Sequence, residues 1–439
     1  GIFTYNLNGG TLTVPIISHS GASTGRLNFN GGTIIAATNG VTLIGGLTQA
    51  NVQTNSANIN LNGKTISISQ ALLHDNSITG LDGGLSVTGT GSLTLTGTNS
   101  YTGTTSVAGG AKLLVRNNGN LSTAATANVN VSNATLDVST KTVSISSLTL
   151  GDNALVTATT STTSTLSTGT ISIVGNLQSN ESLGTNASLA ATIAGAAGLS
   201  HTGAGDLTVA VQQFYSGVTE ITGGRVQLGS ASSLAAASGV NVHASGTLAG
   251  TGTASGLVTV SSGGNLAPGP LGGTSATSIG VLHAGSAAFQ NGGSLTLDIT
   301  RFPTGGTPGI NWDQLAISGA LDGSGLGVGQ FTLHLKTSDL ASFVEPTLVN
   351  GFGALAWDNV ITAGSVVGGS INANRFAVDA SGFANGQSLL GTFSLQFNNN
   401  GGFDLIFAVP EPATMALFAG LGAISLAVLR RRNGRKSAK

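Results

Sequence analysis

Residues 89–115 read GTGSLTLTGTNSYTGTTSVAGGAKLLV, and residues 203–229 return a weakened copy, GAGDLTVAVQQFYSGVTEITGGRVQLG. Leu93 and Leu95 align with Leu207 and Val209, Tyr101 and Gly103 with Tyr215 and Gly217, and Gly109-Gly110 with Gly223-Gly224. Within each copy, apolar residues alternate with Ser, Thr or Asn in short runs, and glycine separates the runs. Such period-two runs are half-buried strands joined by tight turns. A unit this small cannot bury its apolar face alone; copies stacked above and below bury a continuous core.

The same texture fills most of the chain. Val129, Val131, Leu136 and Val138 alternate in ANVNVSNATLDV, and Val143, Ile145, Leu148 and Leu150 follow in VSISSLTL. Thr and Val suit flat strand faces, Gly supplies turns at positive φ, and Asn tolerates left-handed corners. No stretch before residue 409 places its apolar residues at helical spacing. An antiparallel sandwich or barrel would also show period two. The number and similarity of the strands, and the scarcity of proline, favour a solenoid.

The copy at residue 89 resembles the autotransporter-associated β-strand repeat. Its Leu-x-Leu strand (Leu93, Leu95) is followed by Asn-x-Tyr-x-Gly-x-Thr and a Gly-Gly turn. The copy at residue 203 keeps the Tyr and the glycines but has lost the Asn-x-Tyr context. SSGGNLAPGPLGGTSATSIGVLHAGSAAFQNGGSLTLDI, around Pro268, is similar to a segment of the same passenger proteins. The resemblance implies a right-handed parallel β-helix over residues 1–300. At ~20–25 residues per coil and ~4.8 Å between strands it would be a rod of about 60 Å.

Composition narrows the function. Charged residues make up 7% of the 439 residues, against roughly 25% in ordinary globular chains, and the 68 glycines are about twice the usual share. Hydrophobic residues at 40% and a formal net charge of −1 argue for a folded chain and give no electrostatic footprint for nucleic acid. The absence of cysteine excludes disulfides, thiolate ligands and a Cys nucleophile. GIFTYNLNGG opens inside a strand pattern with no leader visible, so a signal peptide is expected upstream.

Near residue 300 the texture changes. Four of the eight prolines lie between Pro268 and Pro308, and ten of the fifteen phenylalanines, with Trp312 and Trp357, lie between Phe302 and Phe407. Aromatics need a wider core. Residues 301–408 are therefore expected to form an aromatic-rich β region, a sandwich or a cap closing the solenoid.

The tail is of another kind. Residues 413–429, ATMALFAGLGAISLAVL, carry no charge and would form a transmembrane helix of about 25 Å. Arg430, Arg431 and Arg432 follow, and Val409-Pro410-Glu411-Pro412 stands before it. By the positive-inside rule the arginines lie in the cytoplasm and residues 1–409 on the far side. Together, residues 409–435 resemble the PEP-CTERM sorting signal of Gram-negative bacteria, with Pro410, Glu411, Pro412 and Arg430–Arg432 at its motif positions. The resemblance implies an exosortase, a membrane-embedded cysteine transpeptidase, as partner. It also implies an inner-membrane anchor through 413–429 with a periplasmic body, followed by delivery to the cell surface or exterior. Nothing at this end has room for an outer-membrane β-barrel, so self-export of the autotransporter kind is not expected.

Chemistry is hard to find. Asp75, Asp82, Asp137, Asp152, Asp206 and Asp298 are scattered, mostly beside Gly or Asn, where Asp bonds its own backbone. His19, His74, His201, His243, His283 and His334 form no short-spaced ligand pair, and His74 and Asp75, as strand neighbours, point to opposite faces. LDGSGLGVG around Asp322 is one weak echo of a calcium repeat, and Trp312-Asp313 reads as a core tryptophan at a strand start rather than a sugar platform. No catalytic residue, cofactor or metal is expected. The leading expectation is an exported, non-enzymatic structural protein of the cell surface or extracellular matrix, with exopolysaccharide as a candidate partner and a role in biofilm. An adhesin for polysaccharide or other cells is the second reading, and a β-helix polysaccharide-degrading enzyme the third.

Overall fold

The computed structural model describes residues 1–122, 128–138, 142–157, 170–173, 177–179, 182, 185–235, 237–270, 278–299, 306–337, 354–367, 373–382, 391–398 and 401–408. Among these the fold is all-β, and the single helical turn is Ala373–Arg375. From Ile2–Leu7 to Phe376–Gly382 the strands pair in parallel and belong to successive coils. Ile2–Leu7 pairs with Thr24–Phe29, which pairs with Gln49–Val52, which pairs with Leu72–His74. Thr11–Val14 and Ile17–Ser18 start two further faces in the same way, pairing with Thr33–Ala36 and Val41–Gly45. The second face continues to Ala354–Val367 and the third to Phe376–Gly382. This is a parallel β-helix-like architecture.

The core is a set of columns. On the third face Ile66, Leu93, Leu113, Leu136, Val156, Leu189, Val209 and Leu228 stand in register, one per coil, and all are buried. Each such side chain contributes about 1.5–3 kcal/mol by leaving water. The alternation seen in the sequence is this column viewed along the chain: Leu93 and Leu95 point in, Ser92 and Thr94 point out. Gly109 and Gly110, at φ +68° and +83°, turn the chain from Thr105–Ala108 into Ala111–Val115.

The Tyr-x-Gly-x-Thr motif is a corner. Tyr101 and Tyr215 are fully buried, and each hydroxyl meets the Thr four residues on: Thr105 Oγ1 at 2.6 Å and Thr219 Oγ1 at 2.8 Å. Burial pushes both phenols above their ordinary range. The intervening glycine is pressed against the coil before it. A Cβ on Gly103 would lie 2.2 Å from the Asp82 carbonyl oxygen, and one on Gly217 would lie 2.3 Å from the Gly198 nitrogen.

Among the described residues no break in parallel pairing accompanies the change of composition near residue 300. Val281–Phe289, Gln314–Asp322 and Ala354–Val367 pair in parallel, as do Ser294–Asp298, Phe331–Lys336 and Phe376–Gly382. The strands lengthen and aromatics fill the wider interior. Phe289 stacks on Phe331 at 4.1 Å, and Phe376 meets Phe403 edge-on at 5.1 Å. Pairing then reverses: Phe403–Ala408 runs antiparallel to both Ala354–Val367 and Thr392–Phe397. An antiparallel hairpin thus lies on the last parallel strand and covers its edge from Ala354 to Ile361.

Candidate functional site

Polar side chains are ordered by the same register as the core. On the second face Thr11, Thr33, Asn58, Ser86, Ser106, Asn130 and Thr149 form one row, and Ser200, Glu220, Asn241 and Thr259 form another. On the first face asparagines bond from coil to coil. Asn28 Nδ2 donates to Asn6 Oδ1 at 2.7 Å and Asn51 Nδ2 donates to Asn28 Oδ1 at 2.9 Å. A second ladder has Asn30 donating to Asn8 at 3.3 Å and Asn55 donating to Asn30 at 3.0 Å.

Six of the aspartates fall into two groups. Asp75, Asp152 and Asp322 are turn residues. Ser77 N donates to Asp75 at 2.9 Å, Ser182 N to Asp152 at 2.7 Å and Ser324 N to Asp322 at 2.9 Å. These bonds hold Asp152 and Asp322 below the usual carboxylate value; at Asp75 bonds from Gln53 and Ser77 outweigh a desolvation that opposes them. Asp82, Asp137 and Asp313 are instead buried. Asp82 accepts the N–H groups of Gly84, Thr102 and Gly103. Asp137 meets Arg116 Nη2 at 2.9 Å and Lys112 Nζ at 3.8 Å.

Asp313 accepts Gly280 N–H on one oxygen and Asp298 N–H on the other, both at 2.8 Å. Burial nevertheless pushes it well above the usual carboxylate range, and the nearby Asp298 carboxylate adds to the rise. Asp298 is itself raised by burial against the pull of Lys336 and Arg225. A carboxyl raised in the folded state holds its proton more tightly there than in the unfolded chain. Its contribution is complete below the unfolded value of 3.8 and declines as pH climbs through the raised folded value. The stability advantage of the native chain over Asp313→Asn is therefore expected to be greatest near pH 4 and to narrow toward neutral pH. Urea titrations of both proteins across that range check it; a gap that widens with pH would show that Asp313 is ionised without penalty.

Three histidines pair with acids that the linear sequence does not bring near. His74 Nδ1 lies 3.0 Å from Asp82 Oδ2, His243 Nε2 lies 2.6 Å from Glu220 Oε2, and His334 Nδ1 lies 2.9 Å from Asp379 Oδ2. Bonds from Ser381, with His334 behind them, hold Asp379 at about 2. His243–Glu220 and His334–Asp379 each bridge two successive coils, and among the described residues no group of three or more His, Asp or Glu side chains is placed to hold a metal ion. Trp312 is buried, its Nε1 donating to the Asp358 carbonyl at 3.2 Å, as befits a core tryptophan.

Two of the concavities lined by described residues stand out. One, of about 620 Å³, lies at the edge of the first coil, where Ile2, Phe3, Tyr5 and Ile16 are exposed. The other, of about 440 Å³, lies on the second face around His283 and Ser318. Pro410, Glu411, Pro412, Arg430, Arg431 and Arg432, with the apolar stretch 413–429, lie outside the described residues. Among the described residues no helix is long and apolar enough to cross a membrane. No protein-family model and no curated protein matches the chain.

Proposed function

We propose that this chain is an exported, non-enzymatic structural protein of the Gram-negative cell surface or extracellular matrix. It is wound as a right-handed parallel β-helix and sorted through residues 409–435. The observation that carries the structural reading is the coil-to-coil bonding of outward polar groups. Asn28 donates to Asn6 and Asn51 donates to Asn28, which ties three successive coils together through their outward side chains. Acid–base chemistry on a polysaccharide needs two carboxyl groups facing one bond. Among the described acids, Asp75, Asp152 and Asp322 are engaged at turns and Glu220 and Asp379 in separate His pairs, which favours the structural reading over an enzyme.

The tail supports the address. Proline favours an extended backbone, as Pro410 and Pro412 would supply at the membrane face; the uncharged run 413–429 is long enough in sequence for a span, and Arg430–Arg432 would set its orientation. The protein recovered from its native host, fractionated and weighed by intact mass, is expected to end near Pro412 in the surface or extracellular fraction. A full-length chain confined to inner membranes would overturn the sorting reading and leave a plain single-span anchor.

A further inference from the structure

Four consecutive strands of the second face bend at the same place. Between Thr253–Val260 and Val281–Phe289 the register slips between Ala254 and Leu257. The next two pairings slip between Ala284 and Ala287 and between Ile317 and Ala320. Each slip coincides with a Ser-Gly or Gly-Ser pair: Ser255-Gly256, Gly285-Ser286, Ser318-Gly319 and Gly364-Ser365. The glycines are required by closeness. A Cβ on Gly285 would sit 1.9 Å from the Ser255 carbonyl oxygen, on Gly319 2.5 Å from that of Gly285, and on Gly364 2.3 Å from that of Ser318. Stacked bulges of this kind re-aim side chains and interrupt pairing, and they recur beside functional sites.

The bends enclose the groove of about 440 Å³, a size ordinary for small-ligand sites, which run roughly 300–1,000 Å³. Thr253, His283, Ala316 and Thr362 stand in one row across the four strands, and Ser255 and Ser318 flank them. Ser318 Oγ reaches the Ala284 and Gly285 carbonyls only at 3.4 and 3.3 Å, weak bonds that a better partner can replace. His283 is the one ionisable side chain among those lining the groove. The lining thus offers hydroxyls and an imidazole at strand spacing, about 4.8 Å, over a floor of Ala and Gly.

We infer that this groove binds a neutral polysaccharide laid along the stack. Sugar rings present hydroxyl edges and apolar faces, and successive rings of an extended glycan recur at close to the strand spacing. The lining lacks the Lys or Arg that a polyanion would need. A peptide strand would add at an edge, and Thr253–Val260, Val281–Phe289 and Gln314–Asp322 are paired on both sides, while Ala354–Val367 is paired on its outer side as far as Ile361. The inference goes beyond the structural role and rests on it only for the compartment in which the glycan is met.

Affinity electrophoresis of the purified full chain tests it, in gels containing dextran, galactomannan or soluble cellulose derivatives, with polygalacturonate as the anionic comparison. Retardation by at least one neutral polymer and none by polygalacturonate is expected. Ala316→Trp, which fills the half-exposed centre of the row, should weaken retardation at least tenfold. The double variant Thr253→Ala with Thr362→Ala should weaken it several-fold without adding bulk. Ser106→Trp, on the polar row well away from the groove, should leave it unchanged. No retardation by any neutral polymer, retardation by polygalacturonate alone, or equal retardation of all variants would overturn the assignment. None of these outcomes depends on how the C-terminus is processed, so this test and the mass measurement fail independently.

Discussion

Gly103→Ala is expected to cost about 4 kcal/mol or more, the range reached only by severe steric or burial defects. The new methyl would lie 2.2 Å from the Asp82 carbonyl oxygen and 2.4 Å from the Gly84 nitrogen, both backbone atoms of the preceding coil. No flexible side chain can move aside. Relief requires the two coils to separate at this corner. That would stretch the pairing of Leu85–Thr88 with Thr105–Ala108 and withdraw the Gly103 N–H from Asp82. Gly217 occupies the equivalent corner of the second copy, and Gly217→Ala should behave alike. Gly325 is the reference: an added Cβ there meets nothing within 4 Å, so Gly325→Ala should stay within about 0.5 kcal/mol. Urea unfolding of the three variants measures the order. Amide exchange should place the Gly103→Ala defect at Leu85–Thr88 and Thr105–Ala108, since coils in a stack depend chiefly on their neighbours. If Gly103→Ala and Gly325→Ala cost the same, the close corner does not constrain the chain.

That corner also marks the limit of what the sequence discloses. The inward alternation of Leu93 and Leu95 follows from period two alone, and the Tyr101–Thr105 contact joins residues four apart. Gly84, the other half of the corner, is not legible, because it meets Gly103 from the preceding coil. Contacts between coils depend on coil length, and that length is irregular: Ile2 faces Thr24, Leu85 faces Thr105, and Leu148 faces Leu177. The same irregularity conceals His243 with Glu220 and His334 with Asp379. It conceals the groove too, whose ASGL, AGSA, ISGA and AGSV segments become a column only once register is known. The enrichment of Phe and Trp past residue 300 reports a wider interior. Side-chain volume says nothing of strand direction, so parallel pairing through Phe376–Gly382 could not be read from it. The tail carries its signal in composition, and its residues lie outside those the structure describes.

Asp82→Ala should be the most damaging change to a polar side chain, at about 3–5 kcal/mol, because it strands a set of buried donors. Oδ1 accepts the N–H of Gly84 at 2.9 Å and of Gly103 at 2.8 Å. Oδ2 accepts Thr102 N–H at 2.7 Å and Thr102 Oγ1 at 3.1 Å, with His74 Nδ1 at 3.0 Å. The carboxylate is thus the knot that ties one coil's corner to the next, and the Gly84 and Gly103 N–H groups it serves are buried away from water. Asp82→Asn tests the chemistry apart from the shape. Its single carbonyl oxygen can serve Gly84 and Gly103, but its amide then points a donor at Thr102 N–H, so a loss of about 2 kcal/mol is expected. His74→Ala removes a partner that is itself partly solvated and should cost less than either. The expected order in urea titrations is therefore Ala worst, Asn intermediate, His74→Ala least. Should Asn prove as costly as Ala, the corner needs both oxygens as acceptors. Should both be mild, the glycines alone close it and the carboxylate is dispensable.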